Sequence, residues 1–143
     1  MRTVRHLLES KAPEVHAIGP DAPVIDAIRL MSEKGIGALL VLGNGGRLVG
    51  ILSERDYARK VVLAGRSSKD TPVRDIMTAD VVTVGLGDDA SACMRMVTER
   101  RIRHLPVVDG DAVLGVVSIG DLVKAVIEEQ QEELQQLQRY ITS

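Results

Sequence analysis

Apolar positions in this chain follow two alternating rhythms, and the alternation occurs twice. Val24, Ala27, Ile28 and Met31 sit at i, i+3, i+4 and i+7, which predicts one apolar face of a helix. Ala90, Cys93, Met94 and Val97 repeat that spacing. Two short β-branched runs follow each helix. Residues 39–42 and 48–52 are joined by Gly43-Asn44-Gly45-Gly46, and residues 105–108 and 113–117 by Asp109-Gly110-Asp111. Asn-Gly and Asp-Gly between apolar runs predict hairpins. A second helix is predicted to begin near Ser53 and near Ser118. Each half therefore reads strand, helix, strand, strand, helix.

The halves also match residue by residue. Residues 15–41 align with 81–107 at an offset of 66, and after one deletion in the turn residues 50–56 fall on 115–121. Upstream, Val4-Arg5-His6-Leu7-Leu8 echoes Val73-Arg74-Asp75-Ile76-Met77. The expected organisation is a first repeat at 1–66, a second at 67–127 and a helical tail at 128–143, divided by the polar stretch 65–72. A half of this size cannot bury both faces of a three-stranded sheet. The expected fold is α/β (α+β), with two pseudo-symmetric β-α-β-β-α repeats packed sheet to sheet and a C-terminal helical extension.

The sharpest motif is Gly-h-h-Ser-x-x-Asp, with h apolar, at Gly50 to Asp56 and again at Gly115 to Asp121. At a strand-to-helix junction Ser-x-x-Asp is first of all an N-cap resembling a capping box. Two features add a ligand reading. The fourth position is Asp in both copies, although Glu or Gln reaches back more easily. Each copy also follows a Gly on an apolar strand, where a missing side chain would let a ligand approach the backbone. A carboxylate accepts both hydroxyls of a vicinal diol such as ribose. A Ser hydroxyl and the N–H groups of a helix start suit phosphate. Together they describe a nucleotide.

These segments carry a family resemblance. Residues 4–127 resemble a tandem pair of cystathionine β-synthase (CBS) domains, also called a Bateman module. The resemblance rests on both Gly-h-h-Ser-x-x-Asp segments, Ile102-Arg103-His104-Leu105-Pro106-Val107-Val108 and the lead-in Asp75-Ile76-Met77-Thr78. Met31 to Leu39, Ser53-Glu54-Arg55-Asp56-Tyr57 and Gly65-Arg66-Ser67-Ser68-Lys69 are similar to stand-alone CBS-pair proteins of bacteria and plant organelles. The resemblance implies a disc-shaped homodimer that binds AMP, ADP, ATP or another adenosyl ligand. It implies that Asp121 takes the ribose diol and Ser118 lies near phosphate, with Arg103 and His104 as phosphate contacts. Without the motif, Arg103 reads as a solvated side chain and His104 as a partly buried one. The adenine would lie on Ile36, Ala38 and His16. A pseudo-symmetric site would use Ser53, Arg55 and Asp56, with Val82, Ile102 and Thr78 towards the base. Gly37 and Ala38 stand there in place of Arg103 and His104, so that site lacks a phosphate pair and leaves room for NAD. The implied role is a regulatory sensor signalling to a separate, unidentified protein. A ligand-free homodimeric scaffold is the competing reading.

Composition narrows the rest. The 143 residues carry 18 basic and 20 acidic side chains for a net charge of −2, with no single-sign block, which argues against nucleic acid. With no Phe or Trp and only Tyr57 and Tyr140, no aromatic platform for bases exists. No apolar run approaches the roughly 20 residues that span a bilayer, and no secretory signal pattern is present, so no membrane partner and a cytoplasmic location are expected. His6, His16 and His104 lack metal-ligand spacing. Cys93, on an apolar helix face, reads as a small hydrophobe. Gly43-Asn44-Gly45-Gly46 reads as a turn, Asp88-Asp89 as a helix start and Glu128-Glu129 as a solvated face. No catalytic constellation emerges, so the expectation is not an enzyme. In the tail, Ile127, Leu134, Leu137 and Ile141 recur at seven, three and four, with Gln130 at the missing seam position. That helix is expected to extend the last domain helix and to pack on its own body or a twofold mate, or else to remain a solvated extension.

Overall fold

A computed structural model describes residues 1–11 and 15–142. Its elements run α1 (Val4–Glu9), β1 (Ala17–Ile18), α2 (Val24–Lys34), β2 (Ala38–Leu42), β3 (Leu48–Ser53), α3 (Glu54–Tyr57), α4 (Ala90–Arg100), β4 (His104–Asp109), β5 (Ala112–Ser118) and α5 (Ile119–Thr142). A π-helical turn, Ala58–Val62, follows α3, and 3-10 turns lie at Asn44–Gly46 and Val73–Asp75. The chain forms two compact units. The β2–β3 unit comprises Val15–Val82 with Gly110–Val113. The β4–β5 unit comprises the described residues of Met1–Glu14, Thr83–Asp109 and Leu114–Ser143.

In the β2–β3 unit, β1 pairs parallel with β2, and β2 pairs antiparallel with β3, Leu40 facing Ile51. The turn between β2 and β3 is the glycine-rich one predicted: Gly45 and Gly46 take φ of 71° and 77°, a region open to glycine. Helix α2 ends at Gly35, also left-handed at φ 64°, the usual helix stop. The face predicted for α2 is the buried one: Val24, Ala27 and Met31 pack with Leu39, Val41, Leu52, Val61, Val73 and Ile76. The β4–β5 unit holds a two-stranded sheet, with Ala90, Cys93 and Val97 of α4 buried, again the predicted face. Asp89 caps α4 by accepting the Ser91 N–H at 3.1 Å.

The first strand of each repeat is shorter than its pattern promised. β1 has two residues, because Gly19-Pro20 follows and proline cannot continue a ladder. In the other unit the equivalent strand is a single parallel bridge, Val84 to Val107, ended by Gly85 and the turn that Asp88 closes on the Gly85 N–H at 2.7 Å.

The lead-in segments exchange places. Residues 4–8 open the first repeat yet belong to the unit of the second, and residues 73–77 open the second yet belong to the unit of the first. Both dock through the same main-chain bonds. Val4 N–H donates to Asp88 O (2.9 Å) as Val73 N–H does to Ala22 O (2.9 Å). Arg5 N–H donates to Leu86 O (3.1 Å) as Arg74 N–H does to Pro20 O (2.9 Å). Ala90 N–H returns to Arg2 O (3.0 Å) as Val24 N–H does to Thr71 O (2.8 Å). The segments then diverge. Residues 4–9 stay helical, closed at their start by Thr3 and His6, whereas after one turn Thr78 runs extended and exchanges two backbone bonds with Ile51 (2.9 and 3.0 Å).

Candidate functional site

Both copies of Ser-x-x-Asp fold as reciprocal caps. Ser53 Oγ accepts the Asp56 N–H at 3.1 Å, while Asp56 Oδ2 accepts from the Ser53 N–H and hydroxyl, each at 3.0 Å. Ser118 Oγ accepts the Asp121 N–H at 3.2 Å, and Asp121 Oδ2 accepts the Ser118 N–H at 2.9 Å. The shorter Asp thus reaches back as Glu would.

Each carboxylate also holds a lysine, drawn from a different element. Lys60, one turn after Asp56, lies 3.4 Å from its Oδ1 and donates to the Ile76 carbonyl at 3.0 Å. Lys11, beyond α1, donates to Asp121 Oδ2 at 2.7 Å and to the Val116 carbonyl at 2.9 Å. Burial alone would raise the Asp121 carboxyl. The hydrogen bond from Lys11, those from Ser118 and the lysine's charge more than offset it, holding the group below its ordinary value of 3.8.

A second tie joins each helix start to the strand edge beside it. Ile119 N–H donates to Arg103 O at 2.8 Å, and Glu54 N–H donates to Gly37 O at 3.1 Å. In the β4–β5 unit the start of α5 thus holds Ser118, Asp121 and the Lys11 ammonium together and is bonded to the main chain at Arg103, with half-buried Ile102 and His104 on either side of Arg103 in the chain. The β2–β3 unit gathers Ile36, Ala38, Ser53, Arg55 and Asp56, with Ala38 opposite Ser53. Thr78 reaches β3 through its bonds to Ile51, and His16 O accepts the Leu40 N–H at 3.2 Å. Val82, His16, Ile36 and Ala38 are half-buried; Arg55, Thr78 and Arg103 are exposed.

The motif glycines serve packing, contrary to the expectation that they clear a path for a ligand. A Cβ on Gly50 would lie 2.5 Å from Met77 Sδ and 3.0 Å from the Thr78 carbonyl. One on Gly115 would lie 2.9 Å from Leu8 Cδ2. Leu8 and Met77 are equivalent positions of the exchanged lead-ins, so each glycine makes room for the segment docked over it. Lys11 was not among the residues singled out by pattern, since a lone lysine in a polar stretch carries no periodic signal. Lys60 was findable as an i+4 partner of Asp56. Among the described residues, no three His, Cys, Asp or Glu side chains are grouped to hold a metal. No helix among them is long and apolar enough to cross a membrane.

A twice-built hairpin, each copy closed by a capped helix, defines a tandem α/β repeat. The CBS domain family matches at residues 4–63 and 73–128. The chain belongs to that family, whose paired members are generally regulatory or signalling modules. It is 46% identical over 125 residues to the mitochondrial CBS domain-containing protein CBSX3 of Arabidopsis thaliana, covering 85% of this chain and 61% of that protein's length. A protein with CBS domains from Burkholderia ambifaria superposes with a TM-score of 0.85 at 51% identity, over 90% of this chain and 96% of the other. A CBS-domain-containing protein from Agrobacterium tumefaciens gives 0.81 at 34% identity, over 86% and 92%.

Proposed function

We propose that this CBS pair is a non-enzymatic regulatory module of the cytoplasm that binds an adenine nucleotide (AMP, ADP or ATP) and passes its ligand state to a separate protein. The observation that carries the reading is the grouping at the start of α5: a carboxylate, a hydroxyl and the Lys11 ammonium around one helix N-terminus, with the Arg103 carbonyl bonded to its first N–H. Asp121 would accept ribose hydroxyls, and Ser118, Arg103, His104 and Lys11 would face phosphate. Asp121 Oδ1 carries none of the cap or lysine bonds described above, and Oδ2 can exchange Lys11 for a hydroxyl. Two or three charge-assisted hydrogen bonds at roughly 1.5–3 kcal/mol each, with modest burial of the base, support about micromolar affinity after association costs. Affinity of that order lets a sensor release its ligand as concentrations change. Only a difference in affinity between two arrangements of the protein can carry the signal.

One observation favours a second reading. Both carboxylates already act as caps and lysine partners, as a ligand-free scaffold would use them. NAD(H) and S-adenosylmethionine are the alternative adenosyl ligands. A thermal-shift series with AMP, ADP, ATP, NAD(H) and S-adenosylmethionine, followed by calorimetry on wild type and Asp121→Ala, tests these readings. Under the sensor reading one adenine nucleotide raises Tm, and Asp121→Ala abolishes binding at one site while the protein stays folded. No shift with any compound supports the scaffold. Unchanged affinity and stoichiometry in the variant removes the ribose assignment.

A further inference from the structure

Helix α5 runs unbroken from Ile119 to Thr142, so the tail extends the last domain helix. Glu128 and Glu129, expected as a solvated face, instead meet Met1 and Arg2. Arg2 pairs with Glu132 and lies 3.7 Å from Glu128, and the Met1 ammonium lies 3.6 Å from Glu129. The lead-in of the β4–β5 unit is therefore tied to α5 at both ends. Lys11 holds Asp121 in the first turn of the helix, and Arg2 holds Glu132 about 16 Å further along it. Between the ties Val4 and Leu7 are buried, and Leu8 fills the slot over Gly115. The tie at the carboxylate recurs in the other unit by a different route. There Lys60 reaches out from the helix side: it lies 3.4 Å from Asp56 Oδ1 and donates to the carbonyl of Ile76, a lead-in residue, at 3.0 Å. Neither lysine has a counterpart in the other half. At the position of Lys60 the second repeat has Ala125, and at the position of Lys11 the second lead-in has Asp80. Two non-equivalent residues thus make one connection, from carboxylate through lysine to lead-in, and what the halves share is the link itself.

We infer that the lead-in of the β4–β5 unit is a strap whose docking is coupled, with opposite sign, to occupancy of Asp121: a vicinal diol on that carboxylate displaces Lys11 and frees the Ser10–Lys11 end of the strap. The inference rests on the ribose assignment made above and adds the part that moves. Asp121 Oδ2 already accepts from the Ser118 N–H and from Lys11, so a diol hydroxyl arriving there needs one of them to leave. The Ser118 N–H is fixed by the main chain. The ammonium sits at the end of a flexible side chain, and its bond to the Val116 carbonyl does not depend on Asp121. At the far end of the strap, Arg2 Nε is buried with no hydrogen-bond partner among the described residues, so the docked state leaves one donor unsatisfied. The Ser10 and Lys11 amides, bonded to the His6 and Leu8 carbonyls at 3.3 and 3.2 Å, report on the strap's Lys11 end. Coupling of this kind is reciprocal: whatever loosens the strap favours the diol by the same factor. The docked or free strap is then the difference that a separate protein would read.

Hydrogen exchange of the whole chain, read by mass spectrometry with and without saturating adenosine, tests it. Adenosine offers Asp121 a diol and offers Lys11 no phosphate. Ligands ordinarily slow exchange by stabilising the folded state. Here the peptide spanning residues 4–11 should exchange several-fold faster with adenosine, while that spanning 118–125 slows. Calorimetry supplies the reciprocal arm. Arg2→Met cuts the tie remote from the site and should bind adenosine several-fold more tightly, and Arg2→Lys should move back towards wild type. Adenosine bound with unchanged or slower exchange at 4–11 overturns the inference and leaves the ribose assignment standing, as does an Arg2→Met affinity equal to wild type. A wild-type chain that binds no adenosine removes the ribose assignment and the inference with it.

Discussion

The Lys11 ammonium donates to Asp121 Oδ2 at 2.7 Å and to the Val116 carbonyl at 2.9 Å, taking a place that main chain takes in the other unit. Val116 corresponds to Ile51, whose carbonyl accepts the Thr78 N–H at 2.9 Å. Where one lead-in uncoils and joins the strand edge, the other remains helical and sends a charged side chain. The two halves thus present different electrostatics from one sequence template, with a cation of the lead-in at the second carboxylate only.

That difference sets the first prediction. In the proposed site Lys11 competes with ribose for Asp121 and attracts phosphate. Lys11→Met should therefore bind uncharged adenosine several-fold more tightly and AMP several-fold more weakly. Calorimetry with both ligands gives the ratio. A ratio equal to wild type, with both ligands binding, assigns Lys11 to the fold alone.

Acid should loosen the β4–β5 unit through the same pair. The folded carboxyl of Asp121 lies below its ordinary 3.8, so its stabilisation is complete above that value and is lost as pH falls through the folded one. Both side chains are partly exposed, which limits the effect to about 1 kcal/mol. Urea midpoints measured from about pH 7 down to pH 3 should fall less steeply in Asp121→Asn than in wild type. Equal slopes would show that the pair contributes nothing.

The glycine slots make a prediction about packing. Gly50→Ala would press on Met77 and on the Thr78 carbonyl, a backbone atom, whereas Gly115→Ala would press only on the tip of Leu8. Overpacking of this kind costs about 1–3 kcal/mol, and Gly50→Ala should lie at the upper end. Trimming the neighbour in Gly50→Ala/Met77→Ala should recover part of the loss in a non-additive cycle. Additive losses would mean that the lead-in does not fill the slot.

Cys93 offers a probe of global opening. Burial first, then the nearby charges of Asp88 and Asp89, push its thiol above the ordinary value of 9.0. Its reaction with a disulfide reagent at about pH 8 should be at least 10-fold slower in the native protein than in urea. Comparable rates would place the α4 face in solvent.

Much of this architecture is legible in the residues. The spacing of Val24, Ala27 and Met31, and of Ala90, Cys93 and Val97, marks buried helix faces, because a 3.6-residue period leaves only one side for the core. The turns at Gly45 and Gly110 follow from a backbone that few other residues tolerate. The cap role of Ser53-Asp56 and Ser118-Asp121 was likewise readable. Three things were not. The exchange of residues 4–8 and 73–77 is a long-range pairing, and local pattern fixes an element without naming its destination. The purpose of Gly50 and Gly115 depends on that destination, so their lack of side chains pointed equally to a ligand or to Met77 and Leu8. Lys11 reaches Asp121 across 110 positions of chain.

The exchanged lead-ins bear on how such a protein can be cut. Severing the polypeptide at the 65–72 stretch gives two fragments that match the sequence repeats and not the folded bodies. Each would keep a segment whose dock lies on the other fragment, and each would lack the side chain that plugs its own glycine groove. A cut after residue 82 instead keeps residues 73–78 with 15–64 in their natural order, whereas the β4–β5 unit recovers its lead-in only if residues 1–11 are joined to the chain that begins at 83.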